Sequence, residues 1–233
     1  MSDVLTLLWK EYRTNAHLIV IGLSVLFLPV ILAFSLAYGN AEAEVTFIDT
    51  VSVGLIFGGL AGLILSQLMM LCLGGYLIGG ERSSRTFEFL FSQPVSKTRI
   101  ILTKLFFALL WVVVIWLLAG AMLLVGTQMN PPGEGVNLDG VTVEFFMEIA
   151  AFGAMLFGSA WLASNKIDSS ILAMAIGAIA TTAVIMVLQL IASRFDALVE
   201  IRDYDWTRII ALGALSAVAI ALGSRIFINR KSP

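Results

Sequence analysis

Residues 50–80, TVSVGLIFGGLAGLILSQLMMLCLGGYLIGG, contain no Asp, Glu, Lys or Arg, and residues 81–104, ERSSRTFEFLFSQPVSKTRIILTK, then bring seven charges. About 20 apolar residues suffice to cross a hydrocarbon core of about 30 Å, so the first stretch predicts a membrane-spanning helix and the second a polar loop. Five further runs without those four residue types lie at 14–41, 105–133, 149–165, 169–193 and 209–224. The fourth and sixth runs are short; Phe145–Met147 extends the one, and Arg225 can snorkel so that Ile226–Ile228 completes the other. Six spans follow, at about 18–38, 51–78, 105–127, 145–163, 171–192 and 209–228. The expected fold is an all-α integral membrane protein, a single transmembrane domain over 1–233.

Composition agrees: 59% of the 233 residues are hydrophobic and 13% charged, against about 25% charged in a soluble domain. The net charge of -2 offers no basic patch for nucleic acid. Cys72 and His17 are each the sole residue of their type, which removes multi-cysteine metal centres and histidine-dependent dyads within the membrane. We therefore assign no catalytic, cofactor-binding or metal residues. The midplane of every span lacks an ionisable residue, which weighs against an ion-coupled carrier.

Orientation follows from the cations. With the N-terminus inside, eleven of fourteen Lys and Arg residues face the cytoplasm, leaving Arg194, Arg202 and Arg208 outside. Both termini are expected to be cytoplasmic, in a multi-pass protein of the cell membrane. Ser35-Leu36-Ala37 has the small-x-small form of a cleavage site, but the apolar run before it is long for a signal peptide and reads as a retained anchor. Tyr38, Tyr204 and Trp206 form the expected outer aromatic belt, with Trp9, Tyr12, Tyr76 and Trp161 as the inner one.

Within the spans, Gly54, Gly58 and Gly62 repeat every four residues, a small-residue stripe suited to close helix packing. Ala150, Ala154 and Gly158 repeat the spacing, as do Gly213, Ala217 and Ala221. Pro29 interrupts the first span's hydrogen-bond ladder. Gln67 and Gln189 are the polar candidates for a substrate path, with interhelical hydrogen bonding the competing role. Glu144 and Glu148 stand near the outer end of the fourth span.

Outside the spans, residues 2–16 wind into an amphipathic helix suited to the membrane surface. Val4, Leu5, Leu7, Leu8, Trp9 and Tyr12 share one arc, Asp3, Thr6, Lys10, Arg13 and Thr14 the other, and Glu11 marks the boundary. In the 81–104 loop a short helix places Phe87, Leu90 and Phe91 on one face and Glu81, Arg85 and Glu88 on another. Pro94 ends it, and Ser96 is placed to cap the next helix. Lys97, Arg99 and Lys104 are expected at the phosphate headgroups.

The pattern E-R-x-x-x-T-x-E-x-L-x-x-x-P-V-S-K-x-x-I-x-x-x-K, placed after a long second span, resembles the permease subunits of type-2 ABC (ATP-binding cassette) export transporters. Their usual pattern is close to E-x-x-x-G-T-L-E-x-L-L-x-x-P-V-S-R. Glu81, Thr86, Glu88, Leu90, Pro94, Val95, Ser96, Lys97 and Lys104 fit; Arg85 stands where that family often has glycine, and Phe87 where it has leucine. The resemblance implies a coupling segment at 81–99 that docks on a separate ATP-binding subunit through Glu81, Arg82, Arg85, Thr86, Phe87, Glu88, Leu90, Phe91 and Pro94. It implies a smaller second contact at Lys166 and Asp168, and a homodimer or heterodimer of permeases among membrane lipids. ATP and Mg2+ would belong to the partner, because this chain has no G-x-x-x-x-G-K-[ST] loop. On this basis the chain is a transport subunit rather than an enzyme. The alternatives are a non-transporting membrane scaffold and an ion-independent carrier.

Overall fold

The computed structural model describes residues 2–39, 44–83, 95–129, 143–195 and 204–229. They form six helices: α1 (Ser2–Gly39), α2 (Glu44–Ser83), α3 (Lys97–Met129), α4 (Val143–Ser164), α5 (Ser170–Phe195) and α6 (Tyr204–Asn229). Each contains a stretch long and apolar enough to cross a membrane, and no strand occurs among the described residues. In hydrocarbon no water satisfies the backbone, and a helix closes its N–H and C=O groups within one segment. The chain is a multi-pass membrane protein.

The first three helices outrun the predicted spans. α1 has 38 residues, roughly 57 Å at 1.5 Å per residue, against about 30 Å of hydrocarbon. The segment at 2–16 and the first span, separate in the sequence reading, are one uninterrupted helix. No Gly or Pro occurs between residues 2 and 21 to stop it, and the helix continues through Pro29. Of the apolar arc, Leu5 is 63% and Trp9 64% exposed, whereas Glu11 is buried rather than marginal. The Asn15 side-chain amide, also buried, donates to Glu11 O at 2.8 Å. α3 starts eight residues before its predicted span, with the Arg99 N–H donating to Ser96 Oγ at 3.4 Å, the cap expected of that serine.

The helices divide into two compact units. One comprises Trp9–Met69 and Phe107–Thr142. In it a Cβ on Gly54 would run into the Ala33 side chain, one on Gly58 would stand 3.1 Å from Leu26 O, and one on Gly59 would stand 2.8 Å from Ala119 O. The glycines therefore let α2 approach both α1 and α3 at backbone distance. The Trp116 indole N–H donates to Ser66 Oγ at 2.9 Å, and the Gln67 amide reaches the same oxygen at 3.0 Å.

The other unit comprises Met1–Leu8, Met70–Phe106 and Val143–Pro233. Ala160 of α4, fully buried, sits between two glycines: a Cβ on Gly177 of α5 would fall 2.7 Å from Ala160 Cα, and one on Gly74 of α2 would fall 3.1 Å from Ala160 Cβ. Beside it Ser159 Oγ lies 2.9 Å from Gly177 O and 2.9 Å from Thr181 Oγ1. α6 packs on α4, with Gly158 against Ser216 O and Gly223 against Trp161. The stripe of Gly213, Ala217 and Ala221 does not make this contact. Nothing stands within 4 Å of a Cβ on Gly213, and both alanines are exposed. Trp161, expected in an aromatic belt, is 0% exposed and stacks on Phe157 at 5.6 Å. Gly223 leaves the space that draws the indole inward.

Candidate functional site

The described flanks of the 81–104 segment and the turn between α4 and α5 lie at one end of the second unit. α2 ends there at Leu77–Ser83, α3 begins at Lys97, and the α4–α5 turn occupies 165–169. The turn is built by local hydrogen bonds. Lys166 N and Ile167 N donate to Ala163 O at 2.9 and 3.0 Å, the Asn165 amide donates to Trp161 O at 2.7 Å, and Ser169 Oγ accepts from Leu172 N at 3.3 Å to cap α5. α2 approaches the turn at glycine: a Cβ on Gly79 would stand 3.0 Å from Ser170 Cα.

The central feature is an ion pair that the sequence did not reveal. Lys104 Nζ lies 3.0 Å from Glu81 Oε1 and donates to Leu77 O at 2.7 Å. Lys104 is 1% exposed and Glu81 6%. Lys104 therefore does not reach the headgroups, as its place beside the third span suggested; it is held inside by a carboxylate and a helix carbonyl. Ion and partner suit each other, since a buried ammonium needs both a counter-charge and hydrogen-bond acceptors. Position 77, four residues before Glu81, puts that carbonyl on the same side of α2.

This pairing changes the place of Glu81 in the coupling segment. Its side chain turns inward and ties the last turn of α2 to the second turn of α3, rather than presenting itself at the surface. Arg85, Thr86, Phe87, Glu88, Leu90, Phe91 and Pro94 lie outside the described residues, as does the side chain of Arg82. Of the described flank, Ser96 and Arg99 are exposed. Lys166 and Asp168 are both exposed on the α4–α5 turn.

The two glutamines are not alike. Gln67 is partly buried in the first unit and bonded to Ser66, and its buried Oε1 has no partner among the described residues. Gln189 lies on the exposed face of α5 among Met186, Val187 and Leu190. The sequence also passed over an open recess of about 600 Å³ in the second unit, lined by Asn165, Lys166, Leu222, Arg225, Ile226 and Asn229. Cationic residues at the ends of spans four and six were its only sequence signal. At the other end of the unit, Glu148 of α4 pairs with Arg208 of α6. No group of three or more His, Cys, Asp or Glu residues suited to a metal occurs among the described residues.

A family model described as "ABC-2 family transporter protein" matches residues 7–184, covering α1 from its sixth residue, all of α2, α3 and α4, the first 15 of the 26 residues of α5 and the whole 81–104 segment. No curated protein matches the chain.

Proposed function

Because the chain belongs to the ABC-2 transporter family, and is thus the permease subunit of an ATP-binding cassette transporter, we propose that it exports its substrate and couples to a separate ATP-binding subunit through residues 81–99. The observation that carries this reading is the buried Glu81–Lys104 pair. It brackets the segment between α2 and α3, so a partner pushing on 82–96 moves both helix ends together instead of bending a loose loop. A buried pair resists separation because parting it leaves two uncompensated charges. The segment then acts as a lever whose fulcrum is the pair.

In this reading Phe87, Leu90 and Phe91 supply the apolar face that enters the partner, flanked by Arg82, Arg85, Thr86, Glu88 and Pro94. Lys166 and Asp168, both exposed on the α4–α5 turn, provide the smaller second contact. Nucleotide and Mg2+ reside in the partner. Two copies, or one copy with a related permease, complete a twelve-helix assembly with all termini in the cytoplasm. Gln67, the partly buried glutamine, is the favoured polar residue of a substrate path, and Gln189 faces lipid.

The test is Phe87→Ala combined with Glu88→Lys. A buried aromatic anchor is worth about 2 kcal/mol and a reversed interfacial charge a similar amount, so docking should weaken at least about tenfold. Expression and insertion should stay normal, and Glu134→Lys in the loop between the third and fourth spans should behave as wild type. Recovery of the ATPase subunit and transport-linked ATP turnover are the two readouts. Wild-type values in both would remove the coupling role from this segment. Orientation is tested separately by proteolysis of a C-terminal tag in sealed inside-out vesicles, where removal is expected.

A further inference from the structure

The open recess between the end of α4 and the end of α6 has the chemistry of a lipid headgroup site. Lys166 enters it from the turn after α4, and Arg225 comes from α6, 59 positions further along the chain. Asn165 and Asn229 add amide groups, while Leu222 and Ile226 supply apolar wall. The candidate spans close at Ser164 and Asn229, so the recess lies where the chain leaves hydrocarbon.

One stripe of α6 leads into it. Leu215, Val218, Leu222, Arg225 and Asn229 follow at alternating spacings of three and four, which places them above one another on one helix face. All five are exposed. The stripe is apolar for its first three members and polar for the last two, the order of an acyl chain and its headgroup. The wall is preformed, because the Trp161 and Asn165 side chains pack directly on the α6 backbone: a Cβ on Gly223 would stand 2.6 Å from Trp161 Cδ1 and 3.2 Å from Asn165 Nδ2.

Cations near helix C-terminal ends are stabilised by the helix dipole, whose effective charge there is about -0.5. Two such ends against two full positive charges leave the recess net positive. Asp168 is exposed on the same turn but is not part of the wall. We propose that this recess binds the phosphate of an anionic phospholipid, with one acyl chain along Leu222, Val218 and Leu215. The shared chemistry is a phosphate anion, and the apolar stripe selects a lipid over a soluble phosphate. A second copy of this chain packed on the same stripe about a two-fold axis would bring Arg225 toward its counterpart, an unfavourable approach of like charges.

The test uses the full chain, purified in non-ionic detergent and stripped of lipid, and titrated with phosphatidylglycerol, phosphatidylcholine or inorganic phosphate under native mass spectrometry. Wild type should bind phosphatidylglycerol in preference to phosphatidylcholine. Lys166→Gln should weaken that binding about fivefold, and Lys166→Gln with Arg225→Gln about twentyfold. Lys166→Arg with Arg225→Lys should retain it, and Arg13→Gln with Arg194→Gln, which removes two cations elsewhere, should leave it unchanged. The single Lys166→Gln change affects an exposed side chain and keeps the measurement decisive if the double variant misfolds. Undiminished phosphatidylglycerol binding by Lys166→Gln and by a folded double variant would overturn the proposal. So would displacement by millimolar inorganic phosphate, which would assign the site to a small anion, or loss of subunit association with lipid binding unchanged, which would assign it to a protein partner.

Discussion

Two ion pairs in the same unit, Glu81–Lys104 and Glu148–Arg208, join neighbouring helices near opposite ends, yet only one is sealed from solvent. The side chains of Glu81 and Lys104 are 8% and 1% exposed, those of Glu148 and Arg208 42% and 19%. The first pair has a helix carbonyl as a further partner inside the protein; the second retains access to water for much of its hydration. An ion pair's worth depends on what surrounds it when it breaks. Water takes over the charges of an exposed pair, whereas nothing takes over those of a buried one. That contrast places a rigid joint beside the 81–99 segment and an adaptable one at the far rim.

The largest expected effect breaks the buried pair from one side. Lys104→Met should lower unfolding stability in detergent by about 3–5 kcal/mol, because it strands the Glu81 carboxylate. Adding Glu81→Leu should restore most of the loss, since a buried pair is often replaceable by apolar residues, while coupling to ATP hydrolysis should remain impaired. If the single change proved as mild as one at the exposed pair, burial would not be the distinguishing variable.

Next in size is a change in packing. Gly177→Leu drives a side chain into the Ala160 backbone and should cost at least about 1–3 kcal/mol. Gly213→Leu, on the open face of α6, should cost nothing and gain up to about 0.8 kcal/mol from helix propensity. Thermal unfolding of the two variants side by side gives the comparison, and equal losses would contradict the assignment of contact and open faces.

Smaller still is the buried hydroxyl contact between α4 and α5. Ser159→Ala should cost about 0.6 kcal/mol, the typical measure of an interhelical hydrogen bond in a membrane protein. Thr181→Val, and the double variant with Ser159→Ala, complete a cycle whose coupling energy isolates the pair.

Arg208→Gln should give the smallest effect, within about 0.5 kcal/mol and fading as salt is raised. A loss as large as that of Lys104→Met would show that Glu148 and Arg208 are held as tightly as the inner pair.

The sequence made the six spans legible because the bilayer imposes one requirement, an apolar run of sufficient length, that needs no knowledge of neighbours. Ser96 was legible for a similar reason, since a capping oxygen and the N–H it accepts lie three residues apart. Lys104, Glu11 and Trp161 were not. Each stands beside a span end, where proximity to the rim says nothing about whether a side chain turns outward or inward. The glycine spacing was equally ambiguous: it fits Gly58, pressed on Leu26, and Gly213, where a Cβ would have nothing within 4 Å.

What the sequence determined by itself is therefore the number of membrane-spanning helices, their apolar character, the family pattern at 81–104 and the lack of a nucleotide loop, all properties of local composition and short-range spacing. Only the tertiary structure decided which charges are buried, which glycines mark contacts and how residues 59 positions apart share one recess. Those outcomes depend on the rotation of each helix about its own axis, set by close packing at Gly74, Gly177 and Gly223, and an apolar run constrains that rotation hardly at all when lipid and protein interior are equally apolar.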